Sequence, residues 1–147
     1  MLRLEFAIPG YVLFSVVQYN SIITIHGLLM IFYMIMPILI GGFGNVLFPL
    51  MINSSDMIFP RMNLLSFDLL MFSFSLLILS FSSLNFGWTF YVPLSLLSTS
   101  FTSDFVFFSL FIAGFSSLFG SYNFITSLFK CSNLSIISSS LFLPLFP

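Results

Sequence analysis

The sequence predicts an all-α fold, a polytopic transmembrane helix bundle with three full spans. Three observations predict it. Charged residues make up 5% of the 147 residues and hydrophobic ones 59%, whereas a soluble domain carries roughly 25% charge. Mean hydropathy is +1.19. The apolar residues also gather into three stretches of about 20 residues or more, the length that crosses a hydrocarbon layer. A chain of this composition cannot cover a water-facing surface, so lipid or other apolar protein must surround it.

The elements follow in order. The first span is read from Val17 to Met51, long enough to cross with tilt or extra turns. Asn53-Ser54-Ser55-Asp56 and Pro60 separate it from the second, Arg61 to Ser83, which Pro60 can open at its first helical position. Asn85, Gly87 and Pro93 lead to the third, Phe101 to Phe129. A shorter apolar stretch, Leu134 to Pro147, reads as the approach to a further helix. The chain is read as one membrane-embedded unit, 1–147, with no internal repeat. Three crossings put the Asp56–Arg61 loop and Lys130 on one side and Arg3, Glu5, Trp88 and Asp104 on the other. Arg61 and Lys130 mark the inner face, and Trp88 and Tyr91 suit the opposite interface.

Composition excludes several functions. The charged residues are Arg3, Glu5, Asp56, Arg61, Asp68, Asp104 and Lys130. They form no basic patch, so nucleic acid is not a partner. Cys131 is the single cysteine, which rules out an internal disulfide framework. With one histidine beside it, a self-contained structural zinc site of about four ligands is excluded as well. The opening Met-Leu-Arg-Leu-Glu-Phe is not followed by a small-residue cleavage site and is not read as a signal peptide. The 23 phenylalanines are attributed to codon bias in an A+T-rich organelle genome.

One residue stands out. His26 lies about two turns into the first span, and at about 100° per residue it shares a stripe with Tyr19 and Tyr33. An ionisable group inside a span usually faces the bundle interior and carries function. Three uses compete: a metal or haem ligand, a proton relay, or an interhelical hydrogen bond. Gly41-Gly42-Phe43-Gly44-Asn45 follows in the same helix. Glycine lowers helix propensity but lets another backbone or a flat ligand approach closely, and plain helix packing accounts for it equally well.

At these residues the chain resembles a known family. Tyr19-Asn20-Ser21-Ile22-Ile23-Thr24-Ile25-His26-Gly27-Leu28-Leu29-Met30-Ile31-Phe32 is similar to helix II of the haem–copper oxidase catalytic subunit, cytochrome c oxidase subunit I. Met34 to Pro37, Ile40 to Asn45 and Pro49 to Ile52 continue it. Asp56-Met57-Ile58-Phe59-Pro60-Arg61-Met62-Asn63 resembles the next loop and helix start. Gly87-Trp88-Thr89 and Tyr91 resemble the following outer loop, and Ala113 to Ser117 with Asn123 to Thr126 resemble helix IV. Arg3-Leu4-Glu5 and Pro9-Gly10 resemble the end of helix I. On this resemblance the chain holds the end of helix I (1–10), helix II (about 17–51), helix III (about 61–83), helix IV (about 101–129) and the approach to helix V (134–147). These belong to the family's twelve-helix core.

The resemblance implies roles. His26 matches an axial ligand of the low-spin haem A. Arg3 matches the arginine that hydrogen-bonds the haem formyl group, where a guanidinium raises the haem potential. Tyr19 is placed with them at the cofactor. Glu5 and Gly10 match contributors to a peripheral sodium or calcium site, where hard oxygen donors are expected. Asp56 matches the mouth of the D proton pathway. Asn45, Asn63, Ser116, Ser117 and Asn123 match polar positions along it; interhelical hydrogen bonding is the competing use of such residues. Departures are visible: Leu64 replaces a second asparagine, Asp68 a tryptophan and Phe111 a histidine. The outer loop before Trp88 is short.

The implied activity belongs to an assembly: electron transfer from cytochrome c, reduction of oxygen to water and proton pumping in the mitochondrial inner membrane. No residue in this chain is expected to be catalytic on its own or to bind copper. The second haem ligand, the copper ligands and the axial histidine of the second haem must come from elsewhere, because His26 is the one histidine. The expectation is a split catalytic subunit completed by other fragments of subunit I, with further oxidase subunits as partners. A structural remnant without redox role, and a quinol-oxidising relative, are the alternatives.

Overall fold

A computed structural model describes residues 2–7, 10, 13–52, 54–81, 84–97 and 101–131. Every regular element among them is helical, and three helices are long and apolar enough to cross a membrane. The expected approach to a further helix, 134–147, lies outside the described residues, as do Pro9, Asn53, Ser82 and Ser83.

The first span runs continuously over Val16–Met51. Ser15 starts it with a reciprocal cap: its hydroxyl accepts from the Gln18 N–H at 3.4 Å, and the Gln18 side chain accepts from the Ser15 N–H at 3.1 Å. Val16–Leu28 is α-helical, Leu29–Ile35 and Pro37–Gly44 are π-helical, and Asn45–Met51 returns to α. Pro37 explains part of this. Its missing N–H and its ring are incompatible with the ordinary i→i−4 ladder, and a wider turn accommodates both. The consequence is rotational. A π segment takes more residues per turn, so the α-helical stripe of Tyr19, His26 and Tyr33 is not kept. His26 is exposed, while Tyr33 is half-buried and shares a short hydrogen bond with Ser73 of the second span.

The second span is Pro60–Leu79 and the third is Phe101–Cys131. They pack antiparallel through a polar seam. Asn123 holds the backbone of Phe59, Ser116 donates to the Ser66 carbonyl, and Ser73 donates to the Ser109 carbonyl. These contacts recur every seven residues on both helices. Small hydroxyl side chains let the backbones approach and supply the interhelical hydrogen bonds that replace the missing hydrophobic drive in lipid. The seam's side chains are buried: Ser73 and Ser109 at 0% exposure, Asn123 at 1%.

An apolar core of Ile25, Leu28, Leu77, Leu84, Phe86 and Val106 closes the end that carries the 84–97 loop. Ser21 pins that loop, accepting from the Leu84 N–H at 2.9 Å, while its own proton is shared between the Val17 carbonyl at 2.9 Å and the Leu84 carbonyl at 3.2 Å. Gly27 lets it lie close, since a Cβ there would be 3.2 Å from Trp88 Cβ and the loop would have to give by a few tenths of an ångström. The outer surface is apolar, with Phe67, Phe72, Phe108 and Phe115 among many exposed rings. A soluble monomer rarely shows such faces.

Candidate functional site

Two regions hold the residues singled out from sequence. The first is the outward side of the N-terminal half of the first span. His26 is exposed there beside the equally exposed Ile23 and Met30, its neighbours one helical turn either way. Its imidazole makes no hydrogen bond or ion pair among the described residues. Asp68 is likewise exposed and unpaired, whereas every buried side-chain polar atom among the described residues is satisfied. A neutral imidazole nitrogen can serve as a donor to iron or another metal, and the hydrogen bond on the other ring nitrogen that orients such a ligand is not made among the described residues. It is one ligand only: no cluster of three or more His, Cys, Asp or Glu exists among the described residues.

Arg3, Glu5 and Tyr19 lie around the start of the same span. Arg3 and Glu5 belong to the short helix Leu2–Glu5. Arg3 is exposed and makes no bond to His26. Glu5 accepts from the Leu13 N–H at 3.2 Å, which closes the turn through Gly10. Gly10 sits at φ +85°, where a side chain would be strained. Tyr19 packs edge-on against Phe6 with ring centroids 5.9 Å apart.

The second region is a groove of about 800 Å³ between the three spans, in the half away from the apolar core. Asn45, Asn63, Ser66, Ser116 and Ser117 line it together with Phe67 and Phe124. Thus four of the sequence-predicted polar residues converge on one space. The Asn45 amide donates to Asn63 Oδ1 at 3.2 Å and to the Gly41 carbonyl at 2.8 Å. That leaves the Asn45 carbonyl oxygen and the Asn63 amide N–H groups free to hold water. Gly44 lets the groove-lining Phe124 pack against the first span, since a Cβ there would meet Phe124 Cζ at 2.9 Å.

Asn123 takes a different position. Its oxygen accepts from the Phe59 N–H and its amide donates to the Phe59 carbonyl, each at 3.2 Å. Ser127 accepts from the Ile58 N–H at 3.2 Å. Together they cap the second span from the third, since Phe59 supplies no side-chain cap of its own. Asp56 is exposed in the loop they brace, with the Ser54 hydroxyl donating to its carbonyl at 3.3 Å. Sequence reasoning missed Ser66, Ser73 and Ser109. The signal was available as serines seven residues apart in an apolar helix.

Comparison with known proteins gives a consistent outcome. The family model described as "Cytochrome C and Quinol oxidase polypeptide I" matches residues 1–146. Cytochrome c oxidase subunit 1 of Yarrowia lipolytica is 41% identical over 134 residues, covering 86% of this chain and 25% of the relative. The subunit 1 of Pecten maximus is 41% identical over 153 residues, covering 99% and 31%. That of Mytilus edulis is 45% identical over 130 residues, covering 84% and 24%. The chain therefore spans about a quarter to a third of the length of the curated relatives it matches.

Proposed function

Since the chain belongs to the cytochrome c and quinol oxidase polypeptide I family, we propose that it supplies one axial ligand of a low-spin haem and part of a proton route in a terminal oxidase. The observation that carries this is the His26 imidazole, exposed on an apolar face and unpaired among the described residues of a fragment whose buried polar atoms are all satisfied. An ionisable side chain in a span is costly unless something in the assembly engages it. Haem iron is the partner that its chemistry and its family both favour.

His26 would hold the iron through one ring nitrogen. When bound, the haem supplies one-electron transfer. Arg3 places a permanent positive charge at the cofactor edge, and Tyr19 packs at the same end. Asp56 collects protons at the inner surface. The free amide groups of Asn45 and Asn63, with the Ser116 and Ser117 hydroxyls, hold the ordered waters that pass them inward. Asn123 keeps the Asp56 loop in place. Glu5 and Gly10 contribute to a peripheral sodium or calcium site. The spans act as helices II to IV of the catalytic subunit, in the mitochondrial inner membrane, with cytochrome c as donor.

The second haem ligand and the copper ligands come from helices outside these 147 residues. Separate chains supply them if the subunit is divided among polypeptides, and the mass of the His26-bearing polypeptide in the purified complex decides that point. The central test is His26→Ala in the assembled oxidase. The low-spin haem absorption should disappear and donor oxidation should fall with it. An unchanged spectrum would remove the redox role and leave a structural subunit. Assays with reduced cytochrome c and with a quinol separate the two donor classes.

A further inference from the structure

Asp68 stands eight residues into the second span, about 12 Å from its start at ~1.5 Å per residue. In a hydrocarbon layer about 30 Å thick, that is close to the midplane. The residues a turn away on its face, Leu64, Leu65, Met71 and Phe72, are all exposed. The opposite face of the helix is spent on the seam with the third span through Ser66 and Ser73. Asp68 is exposed as well and makes no hydrogen bond or ion pair among the described residues. Arg61 shares its stripe, but it lies seven residues away, roughly 10 Å along the axis, and the two are not paired. Arg3 and Lys130 belong to segments at the membrane surfaces.

An acidic side chain at this depth does not stand against acyl chains; such residues pair with one another, with a cation or with a water-filled cavity. We propose that the Asp68 stripe is a docking face for another membrane-spanning helix, from outside these 147 residues, that presents a lysine or arginine at the same depth. Charge complementarity selects the partner's chemistry, and the flanking Leu64, Leu65, Met71 and Phe72 supply the apolar packing on either side. The proposal rests only on the spanning of the membrane and is independent of the role of His26.

A lipid-soluble carbodiimide applied to the purified native complex tests it, because an activated carboxyl forms an amide with a lysine amine in contact. A cross-linked peptide joining Asp68 to a lysine of another span is the expected result. Recovery of Asp68 as an N-acylurea, the product when no amine is near, excludes a lysine, and together with a density map of the complex that shows no arginine nitrogen within ~4 Å of the carboxylate it would overturn the proposal. If Asp68 is unmodified, a density map of the complex decides: a basic nitrogen within ~4 Å supports pairing, and lipid or apolar side chains there refute it. Asp68→Leu gives a second readout. A paired Asp68 predicts loss of the partner helix from the purified complex, since its cation is left buried alone. Full retention of every subunit would contradict the pairing.

Discussion

At the scale of single residues, the molecule separates groups that build from groups that wait. Asn123 builds: both ends of its amide are bonded to the Phe59 backbone at 3.2 Å. Asn123→Ala should cost about 1 kcal/mol, because the part-buried Phe59 N–H loses its partner while the Phe59 carbonyl keeps the Asn63 N–H at 3.1 Å. Thermal unfolding of the complex measures this, and proton uptake through the Asp56 loop should fall with it. Gly44→Ala forces a Cβ to within 2.9 Å of Phe124 Cζ. The ring end can move, so the expected loss is at the low end of the overpacking range, about 1 kcal/mol. His26 waits, and its lack of partners is legible only once the side chains are placed. From composition and spacing its three uses were not separable, and the family resemblance alone favoured the haem ligand. Arg3→Met should lower the low-spin haem potential and shift its absorption while leaving the haem in place. A redox titration checks the first effect and the optical spectrum the second.

At the scale of elements, hydropathy located the three spans because burial in lipid leaves so plain a mark on composition. It could not give the internal form of the first one. Leu29–Ile35 and Pro37–Gly44 are π-helical, and the register change turns Tyr33 toward Ser73 while His26 faces out. Apolar residues on every side of the helix leave no periodicity from which to read that change. Pro37 and the three nearby glycines marked the place without stating the outcome. The seam between the second and third spans was readable in principle from Ser66 with Ser73 and Ser109 with Ser116, but serine is so frequent here that its spacing did not stand out. Ser73→Ala removes the donor to the Ser109 carbonyl and the partner of Tyr33. About 0.6 kcal/mol is the average for such a bond in a membrane protein and ~1.7 the upper end. Two bonds meet at Ser73, so the upper end is expected in an unfolding titration.

At the scale of the whole molecule, one end of the bundle is closed by an apolar core and the other opens into a largely apolar groove in which five polar side chains gather. The polar residues of the groove were legible as separate positions; their convergence was not, because it depends on how three helices cross. Asn63→Leu should remove the bond to Asn45 and dry that part of the groove. Turnover should drop where proton uptake limits it, with the haem spectrum unchanged. The faces left exposed, including those of His26 and Asp68, belong to an assembly larger than these residues. Its most direct test is the structure of the assembled oxidase at the His26 ring. A haem iron about 2 Å from a His26 nitrogen, by analogy with other metal–imidazole bonds, is the result this account predicts. A His26 ring packed against lipid or protein, with every haem iron ligated elsewhere, would contradict it.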